Sequence, residues 1–185
     1  MKKFSILVVS LFAISFLFAC ASRPPTPPDW RYEESAITLY VKTDPQLNLY
    51  DGVAHALHVC VYQLRNPNTF NQYAETSQGI SDLLQCNLFD SSVASAKVLS
   101  RLGIQPGKVL TFTLDRAESA KYVGIVAGYQ ILEKDRTVRL FDVPIITETK
   151  GVFSKTKISE PAHLSIEMNL GPQQIEKTIS KIGEK

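Results

Sequence analysis

The segment from Ala56 to Leu64 places Leu57, Val59 and Val61 on one side of an extended chain and Ala56, Cys60, Tyr62 and Leu64 on the other. Neighbouring side chains of a strand face opposite ways, so a run that is apolar on both faces predicts a central strand covered from both sides. The other apolar runs also have the length and period of strands. Ser35 to Lys42 alternates Ile37, Leu39 and Val41 with Thr38, Tyr40 and Lys42. Val109 to Leu114 sets Leu110, Phe112 and Leu114 against threonines, and Ala162 to Leu170 sets Leu164, Ile166, Met168 and Leu170 against His163, Ser165, Glu167 and Asn169. Tyr122 to Leu132 is apolar on both faces, Thr137 to Ile145 follows, and a short strand within Gly151 to Ile158 brings the total to about seven. Strand after strand with turns between them predicts an all-β, two-sheet sandwich.

Two internal segments break the rhythm. Pro67 to Gln105 is too long for a hairpin loop and is predicted as a small inserted helical element. Within it Ile80, Leu83 and Leu84 make one apolar face, and Asp90 caps a second helix carrying Val93, Ala94, Lys97 and Val98, which Gly103 would stop. Thr43 to His55, between the first two strands, holds Asp44-Pro45 and Asp51-Gly52 with Leu47, Leu49 and Tyr50 between them. A loop of that length with apolar side chains is either an excursion that caps the core or a binding surface. The tail over 173–185 spaces Ile175, Ile179 and Ile182 along one side among lysines. That spacing predicts a short amphipathic helix, docked on the sandwich or fraying into solvent, with membrane contact as a further option.

Ahead of the domain, Met1-Lys2-Lys3 precedes an apolar run from Phe4 that closes on Leu17-Phe18-Ala19-Cys20. A membrane-spanning helix needs about 20 apolar residues; this run is shorter and includes Ser5, Ser10 and Ser15. A plain secretion signal needs no cysteine after its cleavage site. The layout is that of a bacterial lipoprotein signal over 1–19, with Cys20 as the first mature residue and the point of lipid attachment. Ala21 in place of an Asp after that cysteine directs the expectation to the periplasmic face of the outer membrane. Residues 20–32 include Pro24, Pro25, Pro27 and Pro28, which favour an extended polyproline spacer rising about 3.1 Å per residue. The sandwich is expected over 33–172, with its helical excursion at about 67–105.

Charge and motifs narrow the function. Lys2 and Lys3 leave with the signal, so 20 basic residues against 18 acidic ones reduce to an even balance in the mature chain. A nucleic-acid binder carries a basic excess, so no such partner is expected. With Cys20 lipidated, Cys60 and Cys86 remain. In an oxidising periplasm they are a candidate disulfide that would stabilise by about 3 kcal/mol; the alternative is two small buried hydrophobes. His55, His58 and His163 match no zinc spacing, and Cys60 stands two residues from His58 without a second cysteine nearby in sequence. Neither Gly-x-Ser-x-Gly, His-Glu-x-x-His nor a phosphate-cradling glycine loop occurs. Gly124 and Gly128, inside an extended segment, mark a bulge or a close backbone approach. No catalytic residue, metal, cofactor or small-molecule substrate is expected.

Val59-Cys60-Val61-Tyr62-Gln63-Leu64, running into Arg65-Asn66-Pro67-Asn68-Thr69-Phe70, resembles a Val-x-Val-Tyr-Gln-Leu strand followed by a charged-Asn/Asp-Pro-x-x-Phe turn. That pattern belongs to the TssJ lipoproteins of type VI secretion systems, the VasD/Lip family. Gln105-Pro106-Gly107-Lys108 and the block from Ala120 to Tyr129 agree with the family in order and spacing. The resemblance implies a transthyretin-like β-sandwich with an added helical element. It also implies an outer-membrane lipoprotein of the trans-envelope complex that binds the periplasmic C-terminal region of the inner-membrane protein TssM. It moves the loop after the first strand toward a binding surface made of Asp44, Pro45, Gln46, Leu47, Asn48, Leu49, Tyr50 and Asp51. Leu47, Leu49 and Tyr50 would be apolar anchors ringed by Asp44, Asn48 and Asp51. On that reading, shortening Pro45 to Asp51 weakens partner binding without lowering thermal stability. The competing reading is a periplasmic lipoprotein that binds a small ligand or inhibits an enzyme on the same scaffold.

Overall fold

Strand β2 (Leu57–Leu64) lies between β3 (Arg101–Ile104) and β5 (Tyr122–Ala127), with β6 (Val138–Asp142) beyond β5, and every pairing in this sheet is antiparallel. The computed structural model describes residues 26–89, 101–150 and 156–183. A second four-stranded sheet is ordered β10 (Ile175–Ile182), β9 (Leu164–Leu170), β1 (Glu33–Thr43), β4 (Val109–Arg116). Here β1 pairs parallel with β9 and antiparallel with β4, so the strand that follows the proline spacer is bonded along both edges. β7 (Ile145–Lys150) and β8 (Thr156–Pro161) form a separate two-stranded sheet.

The inward faces of the two larger sheets share one core. Ile37, Leu39 and Val41 of β1 and Leu164, Ile166 and Met168 of β9 pack with Leu57, Val59 and Val61 of β2 and Val123 and Ile125 of β5. The other face of β2 is buried by a second cluster. Cys60, Tyr62 and Leu64 meet Phe70 and Ala74 of α1 (Asn68–Ala74) and Ile80 and Leu83 of α2 (Ser77–Leu83). The double-faced pattern of β2 thus reflects a sheet on one side and a helix pair on the other. Thr76 caps α2 by accepting a hydrogen bond from the Gly79 N–H at 3.0 Å. At Gly124 of β5 an added Cβ would lie 2.7 Å from the Phe70 ring, so the glycine is there for close approach of that ring. Burial pushes the Tyr62 phenol up, and its hydroxyl donates to the Leu83 carbonyl.

The structure departs from the sequence reading in four places. The tail is a strand, not a helix: β10 pairs antiparallel with β9, and only Ile175 of the three isoleucines is buried, while Ile179 and Ile182 are exposed. Their spacing matches a helical period by coincidence, and the open ladder of β9 satisfies the tail backbone in a way no isolated helix could. The stretch from Thr137 to Ile145 divides into β6 and β7 around Pro144, which has no N–H for a ladder. Tyr122 to Leu132 stops being a strand at Ala127. Gly103 does not end a helix; it sits in β3 opposite His58, and the helix expected from Asp90 through Val98 lies outside the described residues.

The described parts of residues 1–27 and 147–159 group as one compact unit, and residues 28–146 with 160–185 as another. Within the first, Thr26 bridges Ile158 in parallel, its N–H donates to Lys157 O at 3.0 Å, and Thr147 Oγ1 lies 3.0 Å from Ser159 Oγ.

Where the chain enters β1, charge is buried. The Arg116 side chain is only 2% exposed, and its Nη2 donates to Glu33 Oε2 at 2.8 Å. The Trp30 ring lies 5.6 Å from the Arg116 guanidinium carbon and 5.8 Å from Lys121 Nζ. His163 Nε2 stands 3.2 Å from Glu33 Oε1. Burial alone would raise the Glu33 carboxyl, but hydrogen bonds from Arg116 and His163 outweigh it and hold the carboxyl below its ordinary value. Glu33→Gln leaves the guanidinium buried beside a neutral amide and is expected to destabilise the fold by about 2 kcal/mol at neutral pH. The gap from wild type is complete above the ordinary carboxyl value of 4.5 and closes as pH falls through the lower folded value. Urea unfolding of both proteins between pH 3 and 7 checks this; a gap that persists at low pH contradicts it.

Candidate partner-binding surface

The loop from β1 to β2 is built in two halves with different tasks. In the inner half the Asp44 carboxylate accepts from the Gln46 N–H at 2.7 Å, and the Asp44 carbonyl accepts from Leu47 N and Gly107 N. This turn drives Leu47 into the main core, where it is 0% exposed. Asn48 is also buried, with a left-handed φ of 48°, and its amide donates to the Ala56 carbonyl at 3.4 Å. Leu49 N donates to Pro172 O at 2.7 Å, and His55 N closes the loop on Leu47 O at 2.9 Å.

The outer half is a miniature hairpin. Tyr50 and Val53 exchange both main-chain hydrogen bonds across Asp51 (φ 51°) and Gly52 (φ 73°). Two positive φ values in an Asp-Gly pair are the pattern of a tight turn matched to strand twist. The Tyr50 ring stacks on His55 with centroids 3.5 Å apart and planes 8° from parallel. That contact stiffens the hairpin from within, while Val53 projects with 58% of its surface exposed.

A second segment lies beside this hairpin. A groove of about 230 Å³ is lined by Asn48, Leu49, Tyr50, Gln130, Ile131, Pro172 and Gln173, and Ile131 is 47% exposed. Next to Gln130 in the chain, Tyr129 donates its hydroxyl to Gln174 O at 2.9 Å, and Arg139 Nη2 donates to Ile175 O at 2.7 Å. Burial, with the Glu176 carboxylate nearby, pushes the Tyr129 phenol up, so it remains a donor across the physiological range. Burial also lowers the Arg139 guanidinium from its ordinary value.

Of the residues singled out in sequence, Leu49, Tyr50 and Asp51 reach this surface, and Pro45 and Gln46 are exposed beside it. Leu47 does not: it is part of the core, so it is no anchor for a partner, and Asp44 and Asn48 bond into the loop's own backbone. Deleting Pro45 to Asp51 would therefore remove a core side chain, and the expectation of unchanged thermal stability is corrected. Gln130, Ile131, Pro172 and Gln173 were not anticipated. Ile131 read as the continuation of a strand; the sign that it is not is the Gly128 before it, which ends the pairing by donating to His58 O at 2.8 Å.

Cys20 lies outside the described residues. Cys60 and Cys86 are joined by a disulfide with Cα atoms 5.5 Å apart, tying the outer face of β2 to the chain just past α2. His58, on the same face of β2 as Cys60, stands beside it: its Nε2 is 3.5 Å from Cys60 Sγ and 3.3 Å from Cys86 Sγ. These three are the only grouping of three or more metal-ligating side chains among the described residues.

Comparison with known proteins agrees with the fold. The chain resembles the TssJ1 lipoprotein of Pseudomonas aeruginosa at 18% identity, over 85% of this chain and 100% of that one, with a TM-score of 0.52. It resembles Lip of Serratia marcescens, a membrane-bound component of the type VI secretion system, at 17% identity over 79% and 98%, with a TM-score of 0.53. A chain in a structure of the TssM C-terminal domain from EAEC is similar at 12% identity over 77% and 96%, with a TM-score of 0.50. No curated protein matches the chain in a direct search. The family of type VI secretion lipoproteins described as VasD, EvfM and TssJ matches residues 35–170, and the chain belongs to that family.

Proposed function

We propose that this protein is an outer-membrane anchor of the type VI trans-envelope complex. It binds the periplasmic C-terminal region of TssM through the hairpin at Tyr50 to Val53 and the adjoining groove. The observation that carries this reading is the construction of the loop: a buried inner half fixes an outer half that displays Val53 to solvent, beside a groove where Ile131 is exposed. A side chain such as Leu47 locked in the core sets the hairpin before a partner arrives, which lowers the ordering cost of binding. Exposed apolar side chains around a short groove suit the buried centre of a protein interface. At about 230 Å³ the groove falls below the usual range of small-molecule pockets, roughly 300–1,000 Å³, which disfavours a small ligand at this groove. Membership of the family of type VI secretion lipoproteins supports a partner within that secretion machinery.

The action is tethering rather than catalysis. Acyl chains on Cys20 hold the domain at the membrane, and the spacer over 20–32 sets its reach. Confinement raises the effective concentration of the loop where its partner stands. Cys20→Ser is expected to leave binding of the TssM fragment in solution unchanged while abolishing secretion; normal secretion by that variant contradicts the tether.

Surface positions of the hairpin and groove and the core position of the loop are expected to separate in measurement. Val53→Asp and Ile131→Asp each weaken binding of the TssM periplasmic fragment at least tenfold by calorimetry, about 1.4 kcal/mol or more. Their melting temperatures stay within about 2 °C of wild type. Leu47→Ala instead lowers stability by about 2–4 kcal/mol, as expected for a cavity in a closed core. An unchanged dissociation constant in both aspartate variants moves the interface elsewhere.

A further inference from the structure

The disulfide and its histidine hold a second chemistry that sequence spacing concealed. His58 and Cys60 are two residues apart on one face of β2, and the fold delivers Cys86 from 26 positions beyond Cys60. A fourth donor completes the group. The Leu84 carbonyl, just past the end of α2, lies 3.0 Å from His58 Nε2, 3.5 Å from Cys60 Sγ and 3.7 Å from Cys86 Sγ. With His58 Nε2 at 3.5 and 3.3 Å from the two sulfurs, five of the six distances among these four atoms span 3.0 to 3.7 Å. A tetrahedral zinc with ordinary bonds to sulfur, nitrogen and oxygen needs edges of about 3.4–3.8 Å. The sulfur–sulfur edge must open most, by rotation of the two cysteine side chains about Cα atoms 5.5 Å apart, and the 3.0 Å edge between His58 Nε2 and the Leu84 carbonyl must lengthen by a few tenths of an ångström.

We infer that reduction of the Cys60–Cys86 bond converts this cluster into a Zn²⁺ site with Cys60 Sγ, Cys86 Sγ and His58 Nε2 as side-chain ligands and the Leu84 carbonyl in the fourth position. The disulfide takes two electrons and two protons from a dithiol, which closes to its own disulfide. Zn²⁺ then displaces the two thiol protons to solvent. Two thiolates neutralise the ion, so no further acidic residue is required, and sulfur with imidazole is a donor set suited to zinc. Access is built in: a cavity of about 440 Å³ lined by His58, Ser81, Leu84, Gln85 and Asn87 opens beside the cluster. The ion would replace the covalent clamp between β2 and the helix pair, keeping the outer face of β2 covered in either redox state.

The test uses the full-length protein in detergent, reduced with a phosphine, stripped of metal and titrated with ZnCl₂ against a chromophoric chelator. The expected result is one equivalent bound at least 100-fold more tightly than by the oxidised protein. Cobalt substitution should give a thiolate-to-metal charge-transfer band and the strong visible absorption of a tetrahedral ion. His58→Ala should weaken zinc at least tenfold while retaining the band, and Cys86→Ser should abolish it. If reduction alone unfolds the chain, zinc must restore the native circular dichroism. Failure to restore it, a folded reduced protein that takes up no zinc, or affinity unchanged by His58→Ala would each overturn the inference.

Discussion

Both faces of β2 are buried, and the remainder of the domain follows from that constraint. Leu57, Val59 and Val61 require an opposing sheet, which β1 and β9 supply. Cys60, Tyr62 and Leu64 require a cover on the other side, which a sheet of this order cannot provide and the α1–α2 pair does. A strand in that position tolerates no register slip, because moving by one residue would exchange two differently shaped interfaces. The loop ahead of β2 is consequently launched from a fixed point. Its closing bond from His55 to Leu47 ties the candidate binding hairpin to a residue of the main core.

The entry into β1 is equally anchored. Trp30 leads the chain into β1, a central strand with a parallel neighbour on one side and an antiparallel neighbour on the other. Trp30 packs against the Arg116 and Lys121 cations and its carbonyl accepts from Ser119 N at 2.7 Å. The Glu33–Arg116 pair, whose guanidinium is buried, sits at that entry point and is better understood as fixing the junction than as a surplus of stability.

Much of this was legible in the sequence because period-two patterns report which face is covered. The alternation in β1, β4 and β9 and the double-faced run of β2 identify the sandwich. The family blocks around Tyr62 to Phe70 and Tyr122 to Tyr129 also coincide with real neighbours, since Phe70 lies over Gly124 of the second block. What failed to show were features decided by long-range pairing. Whether Ile175, Ile179 and Ile182 belong to a helix or a strand depends on whether β9 has a free edge, which no local pattern records. Leu47 and Leu49 are alike in sequence, and only the turn at Asp44 decides that one enters the core and the other faces the groove. Ile131 and the partnership of His58 with Cys86 were missed for the same reason, each depending on a residue brought from far along the chain.

The central claim is that the partner lands on the hairpin and groove held above Leu47. Amide hydrogen exchange on the mature lipoprotein, with and without the TssM periplasmic fragment, tests it most directly. The account predicts slowed exchange confined to 48–55, 129–132 and 172–174, with the β10 edge unchanged. Slowed exchange along β10 or β4 with the loop left unprotected would contradict it.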